Sequence, residues 1–409
     1  MDLSDRAKTF ALQLLDQFDG HISAKYLWQS INGGLPWCRH PGDEPFSALH
    51  CISYLGIAEV AGILIMMNRW DVSQKDGAGM TPLIWAARHG HGEVVKLLLR
   101  NRHIQPDQQD SNSGRTALSW AAGTGYEGVA RLFLGLRFVN PGSIGREWGK
   151  AARVVNDLFG GRYVNPNSTC NYGRTPLLCA TPNGYEGIVK LLLGRKDVNP
   201  NSTCHSGQTP LSLAAEKGHK GIAKLLLCRK DVNPNIPDKK YCQTPLSWAT
   251  GNGQEGIVKL LLGQEDVNPD TPDPTYGRTP LSWAAGNGQE GIVKLLLERK
   301  DVNPDTPDRV CGQTPLAWAA RNCHEGSVKL LLERKDVNPD IPDTRYGQTP
   351  LSWAAENGGE EIVKLLLGRK DVNPNSSSKY GQIPLTLAAR NRHHRVVELL
   401  QTQRSQQIQ

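Results

Sequence analysis

The sequence has few of the features that mark a metalloprotein or a cofactor-dependent enzyme. It has nine cysteines among 409 residues and no C-x-x-C pair, so the spacing predicts no zinc site and is typical of free cytosolic thiols. The pairs His50-Cys51 and His393-His394 bring no further ligands at metal-site spacing. We therefore expect neither a metal nor a cofactor.

The sequence also lacks a long hydrophobic run. The most apolar stretch, residues 51–67, is interrupted by Gly56 and Glu59 and is too short to span a bilayer. Residues 1–8 are polar and charged, unlike the start of a secretory signal. These features predict an intracellular protein without membrane association, located in the cytoplasm or the nucleus.

Charge of one sign is not concentrated anywhere in the chain. The net charge is +7, from 47 Lys and Arg against 40 Asp and Glu. Basic residues occur inside mixed tracts such as residues 299–301 (Arg-Lys-Asp) rather than in runs. Since nucleic-acid binders usually concentrate basic residues on one face, this distribution disfavours a nucleic-acid partner.

What the sequence does contain is an internal repeat. A Thr-Pro-Leu signature recurs at steps of 34 or 35 residues from Thr175 onward. Its copies begin at Thr81, Thr175, Thr209, Thr244, Thr279, Thr314 and Thr349, with variant copies at Ser47, Thr116 and Ile383. A fixed step near 33 residues with this signature is typical of ankyrin repeats.

The copy that begins at Thr279 shows the physical logic of one repeat. Thr279 can cap a helix whose first position is Pro280, where a missing N–H costs nothing. Residues 281–285 carry a narrow stripe of Leu and Ala, and residues 292–297 carry a broader apolar face. Two short helices cannot bury these faces alone, so neighbouring repeats must stack.

These units resemble ankyrin repeats over about residues 47 to 404. The resemblance implies an all-α fold, an ankyrin-repeat solenoid in which each unit has two helices and a β-turn finger. Ser stands at the usual His position in most copies, for example at Ser282. The function implied is protein–protein interaction through the concave face and the finger loops, with no enzymatic activity.

The repeat pattern divides the chain into four segments. Residues 1–46 match no repeat and predict two helices, at 3–18 and 22–31. Repeats at 47–140 form a first block, and repeats at 175–409 form a second block with a polar C-terminal cap. Between the blocks, residues 141–174 read as a degenerate, shortened repeat and a linking finger.

The shortened repeat follows from one irregular step, which is 59 residues from Thr116 to Thr175. Because a solenoid is held together by nearest-neighbour interfaces, a defective unit is expected to bend or weaken the stack there. The two blocks would then unfold separately.

Residues 1–46, with Ser47-Ala48-Leu49-His50-Cys51 and the Trp-rich repeats behind them, resemble the region after the nucleotide-binding module of fungal NACHT–ankyrin proteins. Those proteins are signalling ATPases whose repeats act as sensors. The NACHT module is absent, and the nearest phosphate-loop-like stretch, Gly145 to Lys150, has one intervening residue too few. The resemblance leaves open an alternative role, as the sensor part of such a switch separated from its nucleotide-binding module.

Two sets of side chains are candidates for partner binding within the first helices. One is a tryptophan at the same place in six repeats: Trp85, Trp120, Trp248, Trp283, Trp318 and Trp353. Tryptophan is enriched at interface hot spots, but these rings could equally serve packing between repeats. The other set is a variable site later in the same helix, which includes Arg88, Glu216, Arg321 and Glu356. The charge at this site changes from copy to copy, which suggests either that the site recognises a partner or that a solvent-exposed position has drifted neutrally.

The fingers supply a third set. Their tips carry a recurring tyrosine beside Lys or Arg, which suits recognition because the ring is amphipathic. The candidates are Tyr241, Tyr276, Tyr346 and Tyr380.

Catalysis has no support in the pattern. His91, His219 and His324 fall at one repeat position, which favours a structural role. The paired carboxylates Glu360 and Glu361 lie on an exposed helix turn. No Ser, His and Asp set stands apart from the repeats.

Overall fold

A computed structural model of the protein describes residues 46–68, 70–135 and 164–408. The chain divides between His205 and Ser206 into two compact units. The helices predicted at 3–18 and 22–31 and the phosphate-loop-like stretch lie outside the described residues. So do residues 141–163 of the shortened repeat and linking finger predicted at 141–174. The predicted segment boundaries after residues 46, 140 and 174 stay predictions.

The described residues of both units form helices and no β-strand. In the first unit the α-helices are α1 (Ala48–Leu55), α2 (Ala58–Met66), α3 (Pro82–Arg88), α4 (Gly92–Arg100), α5 (Ala117–Thr124), α6 (Glu127–Gly135), α7 (Pro176–Ala180) and α8 (Glu186–Leu193). A 3₁₀ turn, Thr181–Asn183, follows α7.

The second unit continues the same alternation of two helices per repeat. Its helices are α9 (Pro210–Lys217), α10 (Lys220–Leu227), α11 (Pro245–Gly251), α12 (Glu255–Leu262), α13 (Pro280–Gly286), α14 (Glu290–Leu297), α15 (Pro315–Arg321), α16 (Glu325–Glu333), α17 (Pro350–Asn357), α18 (Glu360–Leu367), α19 (Pro384–Arg390) and α20 (His394–Ile408). The all-α solenoid predicted from the repeats is confirmed.

In the eight repeats that have it, the threonine of the signature caps the first helix, as predicted. Thr279 Oγ1 accepts a hydrogen bond from the Ser282 amide at 3.2 Å, and Pro280 occupies the first turn of α13. This bond satisfies one of the amides that a helix N-terminus leaves unpaired. At the other end Asn287 is the cap and Gly288 has φ +67°, a left-handed conformation that glycine adopts at little cost.

Within each unit, first helices pack on first helices and second helices on second helices. Leu281, Ala284 and Ala285 of α13 are fully buried, because their small side chains let neighbouring helices approach closely. On α14, Ile292 and Leu296 are buried against the neighbouring second helices. Each repeat therefore depends on its neighbours for its core.

The expectation that a shortened repeat bends or weakens the stack near residues 141 to 165 stays a prediction, but the repeats on either side of this segment contact each other. Helices α5 and α7 pack directly on each other, as do α6 and α8, although 59 residues separate Thr116 from Thr175. The Asn171 amide donates to the Ser113 carbonyl at 2.8 Å, and Asn183 Nδ2 donates to the Gly123 carbonyl at 3.2 Å. The two repeats thus contact each other as successive repeats do.

Direct packing across this junction has a measurable consequence. We expect the amides of α5 and α7 to exchange with solvent as slowly as those of α1 and α3, which are joined by a regular linker in the same unit. Native-state hydrogen exchange followed by mass spectrometry measures this. Exchange that is markedly faster in 117–124 and 176–180 than in 48–55 and 82–88 would contradict the direct packing.

Candidate partner-binding surface

Each tryptophan of the first helices is anchored by an aspartate of its own finger. Trp318 Nε1 donates to Asp308 Oδ2 at 2.9 Å, and this carboxylate is only 4% exposed. The equivalent indole-to-carboxylate distances run from 2.7 to 3.2 Å in the pairs Trp85–Asp76, Trp120–Asp110, Trp248–Asp238, Trp283–Asp273 and Trp353–Asp343. The indole N–H groups are therefore committed inside the protein.

The same aspartate also holds the finger turn together. Asp308 Oδ1 accepts from the amides of Val310 and Cys311 at 2.9 and 2.7 Å, and Oδ2 accepts from the Gln313 amide at 3.0 Å. One buried carboxylate thus links the turn to the first helix through charge-assisted hydrogen bonds.

Sequence reasoning missed this aspartate, although the sequence carried a signal for it. Aspartate precedes the ring by nine or ten residues in all six repeats that have the tryptophan. Where the ring is replaced by Cys179, Leu213 or Leu387, the finger position holds Cys170, Cys204 or Ser378. The two positions change together because one residue hydrogen-bonds the other.

The tryptophan rings share one surface in each unit, which we call the tryptophan face (Trp85 and Trp120 in the first unit; Trp248, Trp283, Trp318 and Trp353 in the second). Trp85 and Trp353 are buried, at 2% and 6% exposure, whereas the other four are half-buried. The rings consequently contribute to packing, and four of them also present part of their surface to solvent. Their role in binding a partner stays a prediction.

Guanidinium groups lie over successive rings of this face. Arg88 Cζ is 5.6 Å from the Trp85 ring centroid and 4.5 Å from that of Trp120. Arg321 Cζ is 5.5 Å from the Trp318 centroid and 4.4 Å from that of Trp353. All four distances suit cation–π attraction.

In the repeat that begins at Thr279, the cation comes from a different position of the repeat. Arg278, the residue just before the threonine of the signature, has Cζ 4.7 Å from the Trp283 centroid and 3.6 Å from that of Trp318. Burial lowers the pKa of Arg278, while Asp308 and Asp273 oppose that shift by favouring the charged form. Arginine stays protonated at neutral pH in either case.

The variable site of the first helix is paired within its own repeat. Glu216 Oε2 accepts from Gln208 Nε2, and Glu356 Oε2 accepts from Gln348 Nε2, both at 2.6 Å. Arg321 Nη1 donates to the Gln313 amide oxygen at 3.4 Å. Arg88 Nη1 likewise lies 3.7 Å from a sulfur, Met80 Sδ, eight residues earlier. In these four repeats the variable residue thus contacts the side chain that precedes the threonine, and its role in binding a partner stays a prediction.

The finger tyrosines stand edge-on to the tryptophans where both are present. The ring centroids of Tyr241 and Trp248 are 5.8 Å apart, those of Tyr276 and Trp283 6.2 Å, and those of Tyr346 and Trp353 5.9 Å. These are favourable aromatic geometries. Tyr241 and Tyr276 remain 43% and 47% exposed, and Tyr380, whose repeat has Leu387 at the tryptophan position, is 73% exposed.

Two of the repeat histidines contact the preceding repeat, and Cys51 and Cys179 are buried. The imidazole Nε2 of His91 lies 2.7 Å from the Tyr54 carbonyl oxygen, and that of His324 lies 3.0 Å from the Gly286 carbonyl oxygen, each one repeat earlier. Burial raises the pKa of the Cys51 and Cys179 thiols to about 11, so they are not thiolates at neutral pH.

In residues 46–68, 70–135 and 164–408 no group of three or more His, Cys, Asp or Glu side chains is placed to hold a metal ion. Among the same residues no helix has both the length and the apolar character needed to cross a membrane.

Comparison with known families agrees with this architecture. A family model described as ankyrin repeats (3 copies) matches residues 43–141, 147–238, 231–308, 299–378 and 337–408. The chain belongs to the ankyrin-repeat family. No curated protein matches it. Ankyrin repeats generally mediate protein–protein interaction, and proteins built from them are generally non-enzymatic scaffolds.

Proposed function

We propose that these ankyrin repeats form a scaffold that binds a protein partner through the tryptophan face and the finger loops, on the concave side of the repeats. The observation that carries the proposal is the set of partly exposed aromatic pairs, Tyr241 with Trp248 and Tyr276 with Trp283. Aromatic residues and arginine are enriched in interface cores and hot spots. On the tryptophan face they are already held in fixed positions, so binding would cost little side-chain entropy.

A photo-crosslinking residue distinguishes this surface from the opposite one. We expect a benzophenone side chain in place of Tyr276 to crosslink the partner, and one in place of Lys294 on the second helix of the same repeat to crosslink little. Both side chains are exposed, so the two variants differ in position rather than in accessibility. Crosslinking from the Lys294 position alone would contradict the proposal.

Once the partner is in hand, affinity provides the quantitative test. We expect the double variant Tyr241→Ala, Tyr276→Ala to bind at least about ten-fold more weakly, the loss typical of interface hot spots. The matched control is Lys259→Ala, Lys294→Ala on the second helices of the same two repeats, which should bind as the native chain does. Circular dichroism and unfolding midpoints would show that both double variants are folded.

A second candidate role rests on the resemblance of residues 1–51 and the Trp-rich repeats to fungal NACHT–ankyrin proteins. The same surface would then act as the sensor of a signalling switch, supplied in trans or separated from its nucleotide-binding module. Sequencing of the genomic locus tests this role. A phosphate-loop module encoded in an upstream exon or in a neighbouring gene would support it, and a locus without one would favour the scaffold.

The free thiols support placing the scaffold inside the cell, in the cytoplasm or the nucleus. Seven cysteines in the described residues form no disulfide, and four of them are buried (Cys51, Cys170, Cys179 and Cys311 are buried; Cys228, Cys242 and Cys323 are exposed). Such thiols persist in reducing compartments.

A further inference from the structure

Three pairs of successive tryptophans hold a guanidinium of the chain itself between or beside them. The pairs are Trp85/Trp120, Trp283/Trp318 and Trp318/Trp353, and the cations are Arg88, Arg278 and Arg321 respectively. The cation comes either from the residue before the threonine or from the variable site at the end of the first helix. Each of these three repeats supplies it from only one of the two positions.

The pair Trp248/Trp283 breaks this pattern. The two positions that could supply its cation hold Gln243 and Gly251, and neither is charged. Over the ranges that the structure describes, no Arg or Lys lies within cation–π distance of the Trp248 ring, and the cation beside Trp283 is the one it shares with Trp318.

The space between the first helices that carry Trp248 and Trp283 is also wider than the space between those that carry Trp283 and Trp318. A Cβ atom built on Gly286 would lie 3.5 Å from Trp318 Cβ, whereas a Cβ built on Gly251 would have no atom within 4 Å. Helices α11 and α13 accordingly pack less closely than α13 and α15 do. Gly251 is exposed and both rings are half-buried, so this space opens to solvent.

The electrostatics of the space favour a cation. The indoles of Trp248 and Trp283 donate to the carboxylates of Asp238 and Asp273, which are each 2% exposed. A hydrogen bond from the indole N–H to a buried anion increases electron density in the ring, and the π face of tryptophan already attracts cations most strongly. The nearby Tyr241 adds a further aromatic edge beside Trp248.

We propose that the slot between Trp248 and Trp283 binds an arginine side chain of the protein partner. The occupant is inferred to be arginine because an arginine of the chain lies over the equivalent rings in the three other pairs of successive tryptophans. The proposal rests on the tryptophan face being the binding surface, and it assigns one specific position on that face to a guanidinium.

A short peptide tests the slot without knowledge of the partner. The probe is acetyl-Gly-Gly-Arg-Gly-Gly-amide, with a citrulline peptide as an uncharged match of nearly the same shape. On the full chain labelled with ¹⁵N at tryptophan, we expect the arginine peptide to shift the indole signals of Trp248 and Trp283. The citrulline peptide should shift neither. Equal shifts at all the indoles, no shift at these two, or the same response to citrulline would overturn the proposal.

An arginine of the chain itself, placed in the slot by substitution, should compete with the arginine peptide and weaken its binding. Gly251→Arg places an arginine where the first helix carries it in Arg88 and Arg321, and Gln243→Arg places one where Arg278 stands. We expect either variant to bind the peptide at least ten-fold more weakly. The matched control is Gly128→Arg, which adds the same side chain at an exposed position where a Cβ meets nothing within 4 Å. Unchanged peptide binding in both slot variants would overturn the proposal.

Measuring how the variants bind the natural partner distinguishes failure of this inference from failure of the proposed function. If Gly251→Arg weakens partner binding at least ten-fold and Gly128→Arg does not, the slot is used by the partner. If Tyr241→Ala, Tyr276→Ala weakens binding and Gly251→Arg does not, the scaffold function stands and the slot assignment is wrong. If none of these variants changes binding, both proposals are wrong.

Discussion

Replacing Asp308 by alanine should lower the free energy of unfolding of the second unit by about 3 kcal/mol or more. The substitution removes the acceptor of four hydrogen bonds, from the amides of Val310, Cys311 and Gln313 and from the Trp318 indole. Each hydrogen bond to a charged acceptor contributes about 1.5–3 kcal/mol, and water that enters the finger recovers part of the loss. Without the carboxylate, the Trp318 indole N–H and the three turn amides are left without an acceptor wherever water does not enter.

The matched control for this variant is Asp301→Ala in the same repeat. Asp301 pairs with Arg299 at 2.6 Å, but more than half of its side chain is exposed, so its loss should cost about 1 kcal/mol or less. Urea unfolding gives the two free energies, and amide exchange over residues 308–318 locates the change. Equal losses in the two variants would show that the finger carboxylate is not a structural anchor.

Replacing Asp270, Asp305 and Asp340 together by asparagine should raise the free energy of unfolding at neutral pH by about 2–3 kcal/mol. In each carboxylate Oδ2 accepts an amide from the next repeat, at 2.7 Å from Asn303, 2.9 Å from Asn338 and 3.4 Å from Asn373, whereas the buried Oδ1 has no hydrogen-bond partner. An asparagine could donate from that second position. A hydrogen bond of this kind contributes about 1 kcal/mol.

The chain itself contains the proposed arrangement. Asn235 stands at the equivalent position of an earlier repeat, where its Oδ1 accepts from the Asn268 amide at 3.0 Å and its Nδ2 donates to the Asp266 carbonyl at 2.6 Å. The reverse change, Asn235→Asp, should therefore destabilise the unit at neutral pH by about 1 kcal/mol. A loss of stability in the asparagine triple variant, or a gain in Asn235→Asp, would contradict this account.

The pH dependence of the triple variant follows from the direction of the pKa shifts. Burial raises the pKa values of Asp270, Asp305 and Asp340 above the ordinary range. Groups with raised pKa values favour the folded state below their unfolded pKa, about 3.9, and lose that contribution as the pH rises through the folded pKa. The advantage of asparagine should be complete at pH 7 and should shrink as the pH falls towards 4. Urea midpoints at pH 7 and pH 4 measure it.

Local signals within one repeat predicted the fold well. The threonine cap, the proline at the first helical position and the stripe of Leu and Ala in the Thr279 copy all act over a few residues. The sequence did not predict that α5 and α7 meet directly. A long step between two signatures has the same length whether the extra residues form a defective repeat in the stack or stand outside it.

The candidate site was predicted only in part, for a related reason. The tryptophans, the variable site and the finger tyrosines were recognised because each recurs at one position. Their hydrogen-bond and stacking partners were missed, since Asp308 lies ten residues before Trp318 and Gln348 lies eight residues before Glu356. Neither spacing is a helical or strand period, and only the fold of the finger brings these residues together.

The pairings of this protein differ in whether they stay inside a repeat or cross to the next one. The Asp–Trp bonds and the Gln–Glu pairs are internal, so a recombination event that copies a whole repeat also copies them intact. The guanidinium over the following ring is contributed by the preceding repeat, as Arg88 is to Trp120. Gene duplication of the unit that carries Gln243 and Gly251 would therefore keep the bond between Asp238 and Trp248 and add one more pair of successive tryptophans without a cation. The order in which repeats are copied would change the number and placement of open slots while leaving the stability of each unit nearly the same.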